Sequence, residues 1–254
     1  MTTDTERIAF RCNVCGATNE LARDLFDREG GWCGACRSTV RWRSIVHVLS
    51  LELFGQSLAV PDFPHRPDVV GIGLSDWEGY AVPLAAKLAY TNTYFHRSPR
   101  LDIAAVEPEL AGRFDFVIAS DVFEHVPPPV ATSFRNLRTL LRPGGVAVFS
   151  SPYDDRNSTA EHFPNLHRYD LRQEDDGAWE LRNTTASGEE EVFRDLVFHG
   201  GPGETLEMRV FSRSALLDEF TSAEFEHVEI HADDVPRWGI VWTNDRSLPL
   251  AARR

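Results

Sequence analysis

FDFVIASDVFEHVP (residues 114–127) and LRPGGVAVFS (residues 141–150) decide the fold of this 254-residue chain. Each contains a continuous apolar run of strand length, which is typical of strands buried on both faces. Residues 129–141 predict a helix between them, and Pro143 with the two glycines after it predicts a turn. Two buried strands joined by a helix predict a parallel pair, because a crossover connection returns the chain to the same end of a sheet.

The same alternation of strand and helix continues on both sides of these two runs. Residues 68–73 (DVVGIG) predict a buried strand that leads into a turn, and residues 82–89 predict a helix. The further predicted elements are a β-rich run at residues 90–95, a helix capped by Ser212, and two final strands at residues 225–231 and 238–242. Strands that alternate with helices indicate an α/β fold with a mostly parallel sheet.

All four cysteines lie near the start of the chain, as Cys12-x2-Cys15 and Cys33-x2-Cys36. Each short loop brings two thiolates to one tetrahedral ion, and this spacing is typical of a zinc ribbon. Two disulfides or four unrelated thiols are the alternatives, and the lack of an export signal disfavours disulfides. Four thiolates close the coordination shell, so we expect a structural zinc ion that holds this segment folded.

Residues 39–54 follow the cysteines with apolar residues at helical spacing and stop before Gly55, a natural C-cap. They predict a helix that links the cysteine segment to the main domain. Its start overlaps RSTVRWR (residues 37–43), a patch of three arginines around a tryptophan. The patch has two interpretations, a solvated helix start or an RNA contact. Residues 56–67, with three prolines, predict a connector.

Charge and hydropathy limit the partners of the chain. Lys and Arg total 26 against 39 Asp and Glu, a net charge of -13, and an acidic protein meets a repulsive field at a phosphate backbone. Nucleic acid is therefore a disfavoured substrate. No apolar run approaches the roughly 20 residues of a membrane span, and the first residues lack the pattern of a secretory signal. We expect no membrane anchor and a cytoplasmic location.

The two stretches quoted first resemble the class I methyltransferases that use S-adenosylmethionine. In that family the first stretch is the fourth strand with its active-site loop, and the Pro-Gly-Gly turn leads into the fifth strand. The resemblance covers roughly residues 69–242, apart from a long insertion. It implies a Rossmann-like, seven-stranded, mostly parallel sheet with S-adenosylmethionine as cofactor. Residues 74–101 are too few for the usual connecting elements, so we expect one helix to be shortened or lost.

The expected cofactor contacts lie where an open α/β sheet binds its ligand, beyond the carboxyl ends of the strands. Gly71 and Gly73 lack side chains and would let the backbone approach the methionine part of the cofactor. Asp102 resembles the family acid that accepts a hydrogen bond from the adenine amino group, and a simple turn residue is the alternative. Ser120 and Asp121 follow the fourth strand and complete the set.

The sequence departs from the family pattern in and after its first loop. Ser75 and Asp76 stand near the positions of the later loop glycines. Residues 79–101 contain no Asp or Glu, although the family places there the carboxylate that binds the ribose hydroxyls. Asn92, Asp76 or Glu78 is the expected substitute.

His125 follows the fourth strand at the mouth of the expected site. Methyl transfer from a sulfonium needs mainly alignment of the acceptor, with a base where the acceptor is a hydroxyl. An unperturbed imidazole titrates close to neutrality, so we expect His125 to orient or deprotonate the acceptor. A histidine hydrogen-bonded to structure is the alternative.

Residues 153–210 interrupt the pattern with a long segment of low apolar content, including a predicted hairpin over residues 179–193. Long irregular segments in compact domains are often lids or binding loops, so we expect this insertion to cover the acceptor. Its expected acceptor contacts are His162, His167 and His199. The alternatives are plain loop residues, or a second metal bound by His162 and His167.

The expected organisation is a zinc ribbon over residues 1–38, a linking helix and connector over 39–67, and a methyltransferase domain over 68–254 with 153–210 as an inserted lid. The first hypothesis for the function is O- or N-methylation of a small molecule or a sugar-containing metabolite such as a glycan. The second is an RNA methyltransferase, since some ribosomal RNA guanine methyltransferases also place a zinc module before this fold. The third is a non-catalytic binding or scaffold protein that keeps the methyltransferase fold.

Overall fold

A computed structural model describes residues 6–201 and 203–254 of the chain. The expected ribbon and lid therefore extend beyond the described part at residues 1–5 and at residue 202. The α-helices of the described part are α1 (Val40–Phe54), α2 (Glu78–Ala85), α3 (Ala131–Leu140) and α4 (Arg213–Ser222).

The strands fall into an N-terminal hairpin, a central sheet and a set of short strands within the insertion. The hairpin is β1 (Arg7–Arg11) and β2 (Thr18–Ala22). The next four are β3 (Arg66–Leu74), β4 (Leu88–Thr93), β5 (Phe114–Ser120) and β6 (Leu141–Ser150). The insertion and its flanks form β7 (Tyr153–Asp154), β8 (Ala160–Glu161), β9 (Arg168–Gln173), β10 (Trp179–Thr184), β11 (Glu190–Phe193), β12 (Phe198–His199), β13 (Thr205–Leu206) and β14 (Arg209–Ser212). The chain closes with β15 (His227–Ile230) and β16 (Leu250–Arg253).

The central sheet has the order β15-β16-β6-β5-β3-β4. Strands β6, β5, β3 and β4 are parallel, and β16 is antiparallel to both of its neighbours. This confirms the mostly parallel α/β fold. The prediction of seven strands is wrong for the described residues, since the sheet has six. Residues 94–113, between β4 and β5, form turns and a short 3-10 helix. The loss therefore includes a strand as well as a helix.

The hydrophobic core lies on both faces of this sheet, as the alternation of side chains along β5 requires. Phe116 and Ile118 pack on the face covered by α1, α2 and the N-terminal hairpin. Val117 and Ala119 pack on the opposite face with α3 and α4. The N-terminal segment therefore shares one core with the sheet, since its Phe10 belongs to the first of these two clusters.

Local signals in the sequence set the ends of two helices as predicted. The side chain of Thr39 accepts a hydrogen bond from the Trp42 amide at the start of α1, and Gly55 ends that helix with φ 65°. The side chain of Ser212 accepts from the Ala215 amide at the start of α4. The apolar side chains of α1 pack on one face of the sheet and those of α4 on the other.

The last strand of the sheet lies at a different place from the prediction. Residues 238–242 were expected to form it, but Pro236–Trp238 is a 3-10 turn and Gly239 has φ 67°. The physical reason is that this segment packs on the N-terminal part: the Trp238 indole donates to Ser57 Oγ at 2.7 Å, and Arg43 donates to the Gly239 carbonyl at 2.7 Å. The closing strand is β16 instead.

The described part of the insertion contains the three-stranded antiparallel sheet β11-β10-β9, which includes the predicted hairpin, and the two-stranded antiparallel sheet β12-β13. Its own core is a small cluster around Phe163, Leu181, Leu206 and Met208. No helix of the described residues is long and apolar enough to cross a membrane.

Candidate active site

The four cysteines come together in the N-terminal module, defined here as residues 7–38. One sulfur from each lies within 4.8 Å of the others, and the Cys12–Cys36 and Cys15–Cys33 Sγ separations are both 3.7 Å. Sulfur atoms bonded to one tetrahedral zinc ion at about 2.3 Å lie about 3.8 Å apart, so the donor set fits zinc. None of the four forms a disulfide. The Ser38 hydroxyl lies 3.1 Å from Cys12 Sγ and adds the outer hydrogen bond typical of a metal ligand.

The RSTVRWR patch does not form a basic surface. Arg43 is fully buried and donates to the carbonyls of Gly31 and Gly239 at 2.8 and 2.7 Å. Arg41 is turned inward with a side chain only 16% exposed. Arg37 stays exposed beside a tryptophan ring. Neither interpretation of the patch therefore describes it, because two of its three arginines point into the molecule.

A cavity of about 1040 Å³ opens at the carboxyl ends of the parallel strands. Its floor consists of the loops that follow β3, β4, β5 and β6. One wall comes from the N-terminal module and the first turn of α1, and the opposite wall comes from the insertion. The cavity thus occupies the position where open α/β sheets bind their ligands.

Asp121 lies at the tip of β5 and binds two arginines of the module wall. Arg28 donates to both of its carboxylate oxygens, at 2.5 and 2.8 Å, and Arg41 Nε is 3.4 Å away. Burial opposes ionisation of Asp121, but the charges of Arg28 and Arg41 outweigh it and hold the pKa of this carboxyl well below its usual range. Arg41 also donates to Ser120 Oγ at 3.1 Å. Ser120 and Asp121 line the cavity, and their role in cofactor binding stays a prediction.

Gly71 and Gly73 lie within β3, where neighbouring aromatic side chains pack against them. A Cβ on Gly71 would overlap the ring of Phe116 on β5, and a Cβ on Gly73 would overlap the Tyr90 hydroxyl. Neither glycine lines the cavity. They allow aromatic side chains of neighbouring strands to pack on β3, and the expected approach of the Gly71 and Gly73 backbone to the cofactor stays a prediction.

Asp76 is buried beneath the first loop and holds it in place. Its carboxylate accepts hydrogen bonds from the hydroxyls of Tyr80, at 2.6 Å, and Tyr90. The Asn92 side chain bonds the Asp76 backbone twice, at 2.9 and 2.8 Å. Burial raises the pKa of Asp76 to about 7, against the effect of the two tyrosine hydrogen bonds. Asp76 and Asn92 are thus engaged with the protein itself, and their expected role at the ribose hydroxyls stays a prediction.

Two of the predicted cofactor contacts, Ser75 and Asp102, face the cavity, and so does Tyr94. Ser75 follows β3 with φ 57° and is exposed to it. Asp102 lines it too, while its Oδ1 accepts from the Ala104 amide at 2.9 Å, so the turn and the ligand interpretations of this residue are compatible. Tyr94, at the end of β4, lines the cavity with its hydroxyl 3.4 Å from Glu78 Oε1.

His125 lies on the far side of the cavity, against the insertion. Its Nδ1 donates to the Leu206 carbonyl at 2.9 Å, because a carbonyl oxygen can only accept. The proton is therefore on Nδ1, and Nε2 carries the lone pair. Burial lowers the pKa of His125, and the hydrogen bond to Leu206 offsets only part of this effect. A neutral imidazole with an accepting Nε2 can orient an acceptor or take its proton.

Of the three histidines of the insertion, His199 lines the cavity, with its ring 4.7 Å from that of His125. His162 lies behind it, and both contact Glu207, at 2.9 and 3.0 Å. The hydrogen bond to Glu207 raises the pKa of His199. His167 is exposed, away from the cavity. Among the described residues, neither His162 nor His167 belongs to a cluster of three metal-ligating side chains, so the geometry disfavours the second metal considered for them.

The sequence did not reveal that Arg28 and Arg41 of the module wall reach the cavity. Arg41 belongs to a patch whose charge was visible, but nothing in its spacing distinguished an inward arginine from a surface one. Trp42 stacks on Trp77 of the first loop at 4.1 Å and 11°, which brings the start of α1 over the strand ends. This contact between distant segments has no local sequence signal.

A family model described as a methyltransferase domain matches residues 56–230. The chain therefore belongs to the family of class I methyltransferases that depend on S-adenosylmethionine. No curated protein matches the chain in sequence.

Several solved structures of methyltransferases align with the chain at low identity. One is a 1,6-didemethyltoxoflavin N1-methyltransferase of Burkholderia thailandensis with bound S-adenosylhomocysteine, at 16% identity and a TM-score of 0.47 over 83% of this chain and 76% of that one. Another is the sugar N-methyltransferase of Streptoalloteichus sp. ATCC 53650, at 15% and 0.46 over 85% and 86%. A third is an S-adenosylmethionine-dependent methyltransferase of Mesorhizobium loti, at 17% and 0.43 over 76% and 94%.

Proposed function

We propose that the chain transfers the methyl group of S-adenosylmethionine to an oxygen or nitrogen atom of a small molecule or a sugar-containing metabolite such as a glycan. The observation that carries this proposal is the cavity of about 1040 Å³ at the strand ends. Small-molecule sites have volumes of about 300–1,000 Å³, so this one has room for a cofactor and an acceptor together. The inward arginines of the RSTVRWR patch argue against the RNA hypothesis.

The proposed cofactor half lies between the first loop and the module wall. Bound S-adenosylmethionine supplies a methyl group on a sulfonium, which is already activated for displacement. The methionine carboxylate needs a cation, and a guanidinium pairs well with a carboxylate. Arg41 faces this part of the cavity beside Ser120, so we assign Arg41 to the carboxylate.

The proposed nucleoside contacts come from the segments that follow β4. Asp102 retains one carboxylate oxygen besides the Oδ1 that accepts from Ala104, and we assign it to the adenine amino group, as the family resemblance implies. Buried Leu101 and Ile103 flank it with apolar surface. We assign the ribose hydroxyls to Tyr94, since it lines the cavity where the family carboxylate is missing.

The proposed acceptor half lies between His125 and the insertion. His125 Nε2 accepts a hydrogen bond from the acceptor and so orients it or takes its proton. His199 and Leu206 of the insertion close this side and limit the access of water. The insertion thus acts as the lid of the acceptor, and His162 supports His199 from behind through Glu207.

We also propose that zinc bound by the four cysteines has a structural role in this activity. We assign residues 1–38 to this ribbon, and its described part carries Arg28 into the cavity wall. Arg28 pairs with Asp121 across 93 sequence positions at the tip of β5. Zinc therefore stabilises one wall of the cofactor site without touching the reacting atoms.

Calorimetric titration with S-adenosylmethionine and S-adenosylhomocysteine tests the proposal first. We expect binding of both at one site per chain, and Arg37→Gln should bind as the natural chain does, because Arg37 is outside the cavity. Transfer of a labelled methyl group to a panel of amines, phenols and amino sugars then identifies the acceptor class. Failure to bind either cofactor form would overturn the proposal in favour of the scaffold hypothesis.

A further inference from the structure

A second cluster of metal-ligating side chains lies on the insertion side of the cavity, outside the cysteine site. Glu124, His125 and His199 each place one ligand atom within 4.8 Å of the other two. Glu124 and His125 come from the loop after β5, and His199 comes from β12 of the insertion. Two imidazoles and one carboxylate form a donor set that transition metals bind well.

Each of the three side chains is also held from behind by an outer partner. His125 Nδ1 donates to the Leu206 carbonyl at 2.9 Å, and His199 Nε2 is 3.0 Å from Glu207 Oε2. Glu124 Oε2 accepts a hydrogen bond from the Ser151 hydroxyl at 2.8 Å. Histidines that bind a metal usually donate their other ring N–H to a carboxylate or a backbone carbonyl, and ligating carboxylates are hydrogen-bonded in turn. The cluster has this arrangement at all three members.

The remaining carboxylate oxygen of Glu124 is an independent sign of a missing ligand. Glu124 is completely buried, and its Oε1 has no hydrogen-bond partner. His125 Nε2 lies 3.7 Å from this oxygen, which is too long for a hydrogen bond. A buried carboxylate oxygen without a donor costs free energy, and a bound cation would remove that cost.

We propose that Glu124, His125 and His199 bind a divalent transition-metal ion at the acceptor side of the cavity. With three protein ligands the ion keeps open positions, and these face the cavity that His125 and His199 line. An oxygen or nitrogen donor of the acceptor fills one of them. This inference rests on the proposed function and deepens it: His125 Nε2 binds the ion and holds the acceptor through it, in place of a direct hydrogen bond.

Manganese is a suitable probe because it separates this cluster from the cysteine site. Thiolates select soft ions such as zinc, whereas carboxylate ligands suit manganese. The test is a titration of the zinc-loaded protein with Mn²⁺ alone, in which electron paramagnetic resonance measures the free ion. We expect one bound Mn²⁺ per chain. No binding, or binding of Mn²⁺ that displaces zinc from the cysteines, overturns the proposal.

Two variants and one control locate the ion. Glu124→Gln and His199→Gln should each weaken Mn²⁺ binding by at least about tenfold, since even outer-shell changes cost about 10–100-fold in metal affinity. His167→Gln is the matched control in the same insertion and should leave binding unchanged. His199 lies on the lid with a side chain 39% exposed, so His199→Gln keeps the test valid if Glu124→Gln does not fold. Equal affinity in His199→Gln and the natural chain overturns the proposal.

The experiments distinguish failure of the metal proposal from failure of the proposed methyl transfer. Mn²⁺ binding is measured without the cofactor, and calorimetry with S-adenosylmethionine is measured without added Mn²⁺. Cofactor binding with no Mn²⁺ site overturns only the metal proposal. Mn²⁺ binding that depends on His199, with no cofactor binding, supports the metal site and overturns the methyl transfer.

Discussion

Two walls face each other across the cavity, and they differ in how they are attached. The module wall shares the core of the sheet and carries the charged pair of Arg28 and Asp121. The insertion wall has its own small core around Leu181 and presents His199. The difference indicates a division of work: a fixed, cationic wall suits a constant cofactor, whereas a separately packed wall suits an acceptor that differs between related enzymes.

Loss of the zinc site should have the largest effect and would test whether the module wall is fixed by metal. Cys33→Ser removes one ligand, and structural zinc contributes folding energy directly, so we expect the module to unfold and S-adenosylmethionine affinity to fall at least about 100-fold. Zinc content and calorimetry measure this. Ala35→Ser places the same serine in the same exposed loop and should change neither. Cofactor binding retained by a zinc-free Cys33→Ser chain would show that the wall holds without metal.

On the insertion side we expect a loss of turnover without a loss of cofactor affinity. His125→Ala should lower kcat by about 10²–10⁴, the usual contribution of a positioned acid or base, with cofactor affinity unchanged. The separation of kcat from cofactor Kd distinguishes an acceptor role from general loss of structure. His167→Ala is the control. A loss of cofactor affinity equal to the loss of kcat would contradict the division between the walls.

A smaller effect is expected for one cofactor contact on the module wall. Arg41→Gln removes a hydrogen-bonded charge worth about 1.5–3 kcal/mol, so the Kd for S-adenosylmethionine should rise about 10–100-fold. The melting temperature should change little compared with the zinc variant. Arg37→Gln, in the same segment, is the matched control. An unchanged Kd in Arg41→Gln would place the methionine carboxylate elsewhere.

The smallest effect, taken per pH unit, concerns the floor that both walls share. Burial raises the pKa of Asp76 to about 7, against about 3.9 in an unfolded chain. The folded state therefore holds the proton more tightly, so this group's contribution to stability is complete at low pH and falls as pH rises from about 4 to 7, by at most about 1.4 kcal/mol per pH unit. Asp76→Asn should lack this dependence. If the free energy of unfolding changes with pH equally in the two chains across that range, the raised pKa is contradicted.

The strand and helix pattern of the sheet could be predicted because those signals are local. The apolar run at residues 114–120 and the caps Thr39 and Ser212 act within a few residues of themselves. Residues 250–253 (LAAR) lack β-branched side chains, so nothing marked them as a strand; they are one because β6 and β15 pair with them. Residues 238–242 looked like a strand because Trp, Ile and Val cluster there, and contacts with α1 decided otherwise.

The candidate site was less predictable because its groups meet across long distances in sequence. The clustering of the four cysteine sulfurs could be predicted, because their spacing in the sequence indicates one shared site. Gly71 was assigned by family pattern, but its neighbour is an aromatic ring from another strand. The approach of Arg28 to Asp121 depends on how the module packs, which no local pattern records.

The hydrogen bond from Arg43 to the Gly239 carbonyl spans 196 positions, and it sets an order of events during translation. Ribosomes add about 5–20 residues per second, so roughly 10–40 s separate the synthesis of the two partners. A chain stalled before residue 239 would leave a buried guanidinium one acceptor short. Helix α1 is made early and reaches its final packing among the last.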